Sequence, residues 1–173
     1  MKQFPASESL SEKALPYKPL EGKTVLLGIT GGIAAYKAAD YSKKIRALGA
    51  RVITVMTKHA TEFVSPITFA ALTGEKVYTD LFCVEGAETI PHIELARSAD
   101  LFLVLPATAN IIGKAANGLA DDFLSTLLLA FSGPALCRNR AEQREQFQLQ
   151  PHRPRGGGYL PCRRDERARA KPT

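Results

Sequence analysis

At 173 residues the chain is long enough for one domain with a sizeable core, and it contains neither a membrane-spanning apolar run nor the apolar region of a signal peptide, so we predict a cytoplasmic protein. Its net charge of +6 lies in the tail, because residues 1–132 carry thirteen basic and thirteen acidic side chains whereas residues 133–173 carry ten and four; the neutral part gives no bulk-charge argument for a nucleic-acid partner. Three widely separated cysteines exclude a zinc site and a disulfide framework, and no metal is expected.

The first regular element is a buried strand that feeds a helix. Residues 1–21 lack periodicity and are predicted to form a flexible arm, and the β-branched run Thr24–Ile29 is predicted to be a strand. The turn Thr30-Gly31-Gly32 then leads into a helix whose apolar residues recur at steps of three and four. Glycines permit close backbone approach, and a helix N-terminus attracts anions. The turn is therefore either a phosphate site or an ordinary strand-to-helix connection.

The second strand argues against a dinucleotide. Gly49 is placed as a helix C-cap, and Arg51–Met56 is predicted to be a strand that ends at Thr57 and Lys58. A dinucleotide site requires three spaced glycines after the first strand and a carboxylate at the end of the second. A hydroxyl and a cation at that position suit a single phosphate better.

The remaining pattern alternates helix and strand. We expect helix within 61–74 starting near Pro66, a short strand at 77–78, a central strand at 101–105 that is apolar throughout, a helix at 111–116 and a last helix at 119–131. This order predicts a three-layer α/β sandwich with a parallel, Rossmann-like sheet. Ligands bind beyond the carboxyl ends of such strands. The loops at 30–33, 57–58 and 106–110 should therefore converge into one binding site.

Two further motifs leave alternatives open. His92 precedes the central strand, and its ring could exchange protons near neutral pH or could make only a local hydrogen bond at a helix start. Asp121 and Asp122 could form a paired acid site, or they could complement the dipole of the last helix.

The loops and their flanks resemble one enzyme family. The chain is similar to the flavin-dependent cysteine decarboxylases of the flavoprotein family, and most closely to those that act on phosphopantothenoylcysteine. The resemblance covers about residues 22–132 and is carried by seven stretches: 28–37 (GITGGIAAYK), 55–57 (VMT), 63–69 (FVSPITF), 77–82 (VYTDLF), 92–97 (HIELAR), 106–110 (PATAN) and 118–130 (GLADDFLSTLLLA).

The resemblance implies an FMN-binding domain over residues 22–132 that decarboxylates 4'-phosphopantothenoylcysteine to 4'-phosphopantetheine in coenzyme A biosynthesis. It implies that the flavin oxidises the substrate's cysteine thiol to a thioaldehyde, which eases loss of the neighbouring carboxylate. His92 matches the catalytic histidine, and a homotrimer or higher homo-oligomer is implied. The residues that match cofactor-binding stretches are Gly31, Gly32, Ile33, Thr57, Lys58, Thr108, Ala109, Asn110 and Ile111.

The resemblance ends near residue 134. The family continues with a strand, a Met-Asn substrate segment and a loop with a catalytic cysteine, and we expect none of these in the tail 133–173, which is rich in Arg, Pro and Gly and has no Ile or Val with which to complete a parallel sheet. Cys162 lacks the family's glycine-rich surroundings. A disordered tail, a shifted reading frame near Cys137 and an arginine-rich arm that binds nucleic acid are the alternatives. A non-catalytic FMN-binding or regulatory subunit is the alternative function.

Overall fold

The computed structural model describes residues 18–81, 91–138, 146–149 and 163–164. The predicted arm up to residue 17, Cys83, Cys162 and most of the tail lie outside these ranges. The elements described, in chain order, are β1 (Thr24–Ile29), a 3-10 turn (Ile33–Tyr36), α1 (Lys37–Ala47), β2 (Arg51–Met56), α2 (Lys58–Thr61), α3 (Pro66–Thr73), β3 (Val77–Tyr78), α4 (Pro91–Ser98), β4 (Leu101–Val104), α5 (Ala109–Asn117), α6 (Phe123–Ala130), β5 (Ala135–Arg138), β6 (Gln146–Leu149) and β7 (Arg163–Arg164). Within the described ranges, the seven strands form one sheet in the order β3-β2-β1-β4-β5-β6-β7.

The first five strands form the parallel sheet that the sequence predicts. β1 pairs with β2 on one side and with β4 on the other, both in parallel, and β3 and β5 extend the sheet outward. Two apolar cores cover its two faces: one contains Leu26, Phe102 and Leu127, and the other contains Leu27, Val52 and Phe69. Alternate residues of β1 thus enter different cores, because successive strand side chains point to opposite faces. The three-layer α/β sandwich is confirmed.

The strand at Ala135–Arg138 corrects the prediction for the tail. β5 pairs in parallel with β4 from Phe102↔Ala135 to Val104↔Cys137, so the expectation that no strand follows residue 132 is wrong. Ala135 is 6% exposed and Cys137 1% exposed. Weak strand propensity is overridden here because the open edge of β4 offers backbone partners and small apolar side chains fit beneath the helices. β6 and β7 continue antiparallel from this edge, where the sequence predicted only a parallel sheet.

Several element ends also differ from the predictions. The last helix begins at Phe123 rather than at residue 119, because Asp122 is its N-cap and its carboxylate accepts a hydrogen bond from the Ser125 N–H at 2.7 Å. The segment 61–74 contains the end of α2 and, after a break, α3, which has Pro66 in its first turn. Gly49 follows α1 with a φ of +98°, as a C-capping glycine requires. No helix in the described ranges is long and apolar enough to cross a bilayer.

Candidate cofactor site

A cleft of about 560 Å³ lies at the carboxyl edge of the parallel sheet, within the size range of small-molecule sites. The loops after β1, β2 and β4 all contribute to it, so the predicted convergence of these three loops is observed. Helix α5 and the segment before α6 supply the remaining wall. Among the described residues, the cleft is lined by Thr30, Gly31, Thr57, Lys58, His59, Thr108, Asn110, Ile111, Lys114, Asp121 and Asp122.

Most of the predicted cofactor residues meet at this cleft. Six of the nine line it, namely Gly31, Thr57, Lys58, Thr108, Asn110 and Ile111. Gly32, Ile33 and Ala109 are not among the lining residues, and Ile33 is instead 81% exposed on the 3-10 turn. Their part in cofactor binding stays a prediction.

Gly31 brings the turn after β1 into close contact with the start of α2. A Cβ at this position would lie 2.4 Å from the Cβ of His59 and 2.8 Å from its carbonyl carbon, closer than real contacts allow. Only glycine therefore permits this approach. Thr57 caps α2, since its hydroxyl accepts a hydrogen bond from the Ala60 N–H at 3.3 Å, and its own N–H donates to the Ile29 carbonyl at 3.0 Å. The turns after β1 and β2 thus form one unit.

Thr30 ties the turn after β1 to the loop after β4. Its side chain is buried, and its hydroxyl donates to the Pro106 carbonyl at 2.6 Å and accepts from the Thr108 N–H at 3.1 Å. Thr108 in turn is the N-cap of α5. Thr30 was predicted to be part of the turn but not a site residue. The feature of the sequence that could have indicated its role is a hydroxyl directly after a mostly apolar strand.

Lys114 forms the charged wall of the cleft with two carboxylates. Its Nζ lies 2.6 Å from Asp121 Oδ1 and 2.6 Å from Asp122 Oδ2. Burial lowers the pKa of Lys114, but the hydrogen bonds that Lys114 donates to Asp121 and Asp122 outweigh burial, so this pKa is raised. The hydrogen bond from Lys114 lowers the pKa of Asp121. The sequence left Asp121 and Asp122 open as a paired acid site or as partners of the helix dipole; both line the cleft, and Asp122 caps α6. Lys114 was missed, since it reaches the cleft only through the helical face that it shares with Ile111.

His92 is not among the residues that line the cleft. It lies in the first turn of α4, where its ring meets Phe123 edge to face, with centroids 6.4 Å apart and planes at 84°. Phe123 also stacks on Tyr78 at 5.6 Å, and burial raises the pKa of Tyr78. Phe123 directly follows the cleft residue Asp122 in the chain, so the ring that His92 contacts belongs to the neighbour of a cleft residue. The described residues contain no group of His, Cys, Asp or Glu arranged to hold a metal ion.

Comparisons with known proteins place this fold and cleft in a family. A family model described as Flavoprotein matches residues 13–136. Coenzyme A biosynthesis bifunctional protein CoaBC of Bacillus subtilis (strain 168) is 51% identical over 115 residues, which are 66% of this chain and 28% of that protein. The chain thus spans less than a third of the curated relatives that it matches.

Solved structures agree with the sequence comparison. The FMN-dependent cysteine decarboxylase SpaF has a TM-score of 0.63 at 34% identity, covering 67% of each chain. A PPC decarboxylase mutant complexed with pantothenoylaminoethenethiol has a TM-score of 0.56 at 28% identity, covering 69% of this chain and 68% of that one. The family model ends inside β5, which agrees with the observed fifth strand. Because that model spans more than half of the chain, the chain belongs to the flavoprotein family.

Proposed function

We propose that the chain binds FMN in the cleft and that it decarboxylates 4'-phosphopantothenoylcysteine to 4'-phosphopantetheine, a step of coenzyme A biosynthesis. The observation that carries this proposal is the convergence of three separate loops on one cleft, with six of the nine predicted cofactor residues on its wall. The resemblance to FMN-dependent cysteine decarboxylases and to the coenzyme A proteins supports the choice of flavin and substrate.

The chemistry of the cleft fits FMN. Lys58 supplies a cation at the end of β2. The nine-residue helix α5 begins at Ala109, after the Thr108 cap, and its N-terminus lies at the cleft. The hydroxyl of Thr57 offers a further polar partner for a phosphate or a ribityl chain. Asn110 adds an amide and Ile111 an apolar surface of the kind that a flavin ring requires.

The chain's own residues would bind and orient the cofactor and would exchange protons with the substrate. Bound FMN would supply a two-electron oxidation of the substrate's cysteine side chain and then the matching two-electron reduction that yields 4'-phosphopantetheine, so the overall decarboxylation consumes no external oxidant. Gly31 and Thr57 fix the turns that would hold the phosphate, and the hydrogen bonds of Thr30 tie the loop after β4 to the turn after β1. We assign the proton exchange to the His92 imidazole, because histidine is the side chain that most readily both takes up and releases a proton in catalysis.

A second candidate function is supported by the position of His92. Its ring contacts Phe123 and is absent from the cleft wall within one chain. A chain that binds FMN without placing an acid or base beside it would act as a non-catalytic or regulatory flavin-binding subunit. In this alternative the chain binds the cofactor but does not catalyse the decarboxylation.

Our proposal includes a homotrimer or higher homo-oligomer in the cytoplasm. Two large apolar side chains beside the cleft support self-association, since Ile33 is 81% exposed and Tyr36 is 58% exposed on the turn that follows Gly31. Sedimentation velocity of the full chain with FMN tests this part, and a monomer at micromolar concentration would contradict it.

Carbon dioxide release from 4'-phosphopantothenoylcysteine by the full chain with FMN tests the activity. We expect release by the wild type and a decrease of kcat of about 100-fold or more in His92→Ala, with FMN affinity unchanged, because general acid–base groups contribute factors of this size. Equal release by both proteins would contradict the role of His92. FMN binding without any release would favour the non-catalytic function.

A further inference from the structure

The wall of the cleft carries an unusual set of charges for a site that receives a phosphate. Asp121 and Asp122 both line the cleft, together with the cations Lys58 and Lys114. Carboxylates on the lining of a cleft oppose the binding of a phosphate there, since like charges repel across a site of reduced dielectric constant. The cleft therefore requires a nearby positive charge that offsets these two negative charges.

The position of Asp122 is dictated by its role in the fold. Its Oδ1 accepts the Ser125 N–H at 2.7 Å, and its own N–H donates to the Ser125 hydroxyl at 3.1 Å, which together form the capping box of α6. The carboxylate cannot rotate away from the cleft without uncapping the helix. Its second oxygen, Oδ2, is the one that Lys114 contacts.

Lys114, on α5, lies between the carboxylates of Asp121 and Asp122, which directly precede α6. Its side chain is 15% exposed, whereas those of Asp121 and Asp122 are 66% and 30% exposed. Both contacts are 2.6 Å, and the ion pairs keep Lys114 charged because they raise its pKa. Lys114 thus joins α5, which carries Asn110 and Ile111, to the start of α6, and it places a positive charge against both acids.

We propose that Lys114 determines the preference of this cleft for a phosphorylated flavin over a neutral one, by cancelling the charges of Asp121 and Asp122. This inference rests on the proposed FMN site. Lys114 acts through the two carboxylates rather than as the direct phosphate ligand, so its removal exposes a negative wall to the phosphate. Riboflavin has the same ring and ribityl chain without the phosphate and is therefore nearly insensitive to that wall.

The experiment compares the dissociation constants of FMN and riboflavin for the full chain, measured by flavin fluorescence at low ionic strength. In Lys114→Met we expect FMN affinity to decrease by about tenfold or more and riboflavin affinity to change by less than about threefold. Lys114→Arg keeps the cation and should bind FMN like the wild type. Lys43→Met, an exposed lysine of α1 outside the cleft, removes the same net charge and should leave both affinities unchanged.

A rescue variant separates charge from structure. Adding Asp121→Asn and Asp122→Asn to Lys114→Met removes the exposed charges, and asparagine remains a good N-cap, so FMN affinity should return to within about threefold of the wild type. Equal losses of FMN and riboflavin in Lys114→Met, or no rescue by the two asparagines in a folded protein, would overturn the inference while leaving the FMN site intact. Failure of the wild type to bind either flavin would refute the proposed function itself, and this inference with it.

Discussion

A single buried hydroxyl joins two of the three loops that form the cleft. Thr30 donates to the Pro106 carbonyl and accepts from the Thr108 N–H. These two partners lie 76 and 78 positions further along the chain. The sequence showed a hydroxyl after an apolar strand, and from this we could expect a polar turn. It could not reveal the partners, because both are backbone groups whose positions depend on the pairing of β1 with β4.

Replacing Thr30 by valine tests this link. The substitution keeps the shape of the side chain and leaves the Pro106 carbonyl and the Thr108 N–H without their partner, so we expect a loss of about 1–3 kcal/mol in the free energy of unfolding. FMN affinity should decrease as well, since the two loops would no longer be held together. Urea unfolding and flavin titration measure the two effects, with Thr30→Ser as the control that keeps the hydroxyl. Equal stability of the valine and serine variants would argue against the link.

At the scale of elements, strands were predicted better than helix ends. β1 and β2 were predicted with the observed bounds because both are largely apolar runs that contain several β-branched residues and are bordered by turn residues. The start of α6 was wrong because Leu119 and Ala120 are apolar and extend the helical pattern, although the Asp122 cap begins the helix at Phe123.

The strand β5 was missed for a different reason. The segment Ala135–Arg138 contains no β-branched residue, so its local sequence does not favour a strand. It becomes a strand because β4 offers an unpaired edge and because Cys137 is buried in the core that also contains Phe131. Neither partner can be recognised from the four residues themselves.

For the whole molecule, the sequence located the cleft but not all of its walls. The alternation of strand and helix predicts that the loops after β1, β2 and β4 share one edge, and six of the nine predicted residues line the cleft there. Lys114 was missed because it comes from a helical face, and Asp121 and Asp122 were named as a possible acid site but not as part of this cleft, because the segment that precedes α6 follows no strand. The position of His92 against Phe123 depends on the packing of α4 on α6 and also could not be predicted.

Ion pairs between distant elements predict how the whole fold responds to acid. A hydrogen bond from Arg51 lowers the pKa of Glu75 below its ordinary value of 4.5, and hydrogen bonds from Lys23 and Lys114 lower the pKa values of Asp100 and Asp121 below 3.8. A carboxylate with a lowered pKa in the folded state contributes stability that is fully present above its ordinary pKa and is lost as the pH falls through the lowered value. We therefore expect the free energy of unfolding to decrease as the pH falls below about 4.5.

The Glu75→Gln variant isolates one of these pairs. Glu75 receives two hydrogen bonds from the Arg51 guanidinium, at 2.8 and 3.0 Å. They link the first residue of β2 to the segment just after α3. The variant should be less stable than the wild type at pH 7 by up to about 1 kcal/mol, as expected for a surface pair, and should lose less stability on acidification. Urea unfolding between pH 3 and pH 7 measures this, with the exposed Glu62→Gln as the control. An acid response in Glu75→Gln that equals that of the wild type would contradict the assignment.

Equilibrium binding of FMN to the full chain and to two glycine variants tests the central claim most directly. Gly31 lies in the cleft, where a Cβ would lie 2.4 Å from the His59 Cβ, whereas a Cβ on Gly113 of α5 would meet nothing within 4 Å. We predict that the wild type binds FMN, that Gly31→Ala weakens this binding by about tenfold or more because the turn must move away from α2, and that Gly113→Ala binds like the wild type. Absence of FMN binding to the wild type, or equal binding by Gly31→Ala, would contradict the assignment of this cleft to the flavin.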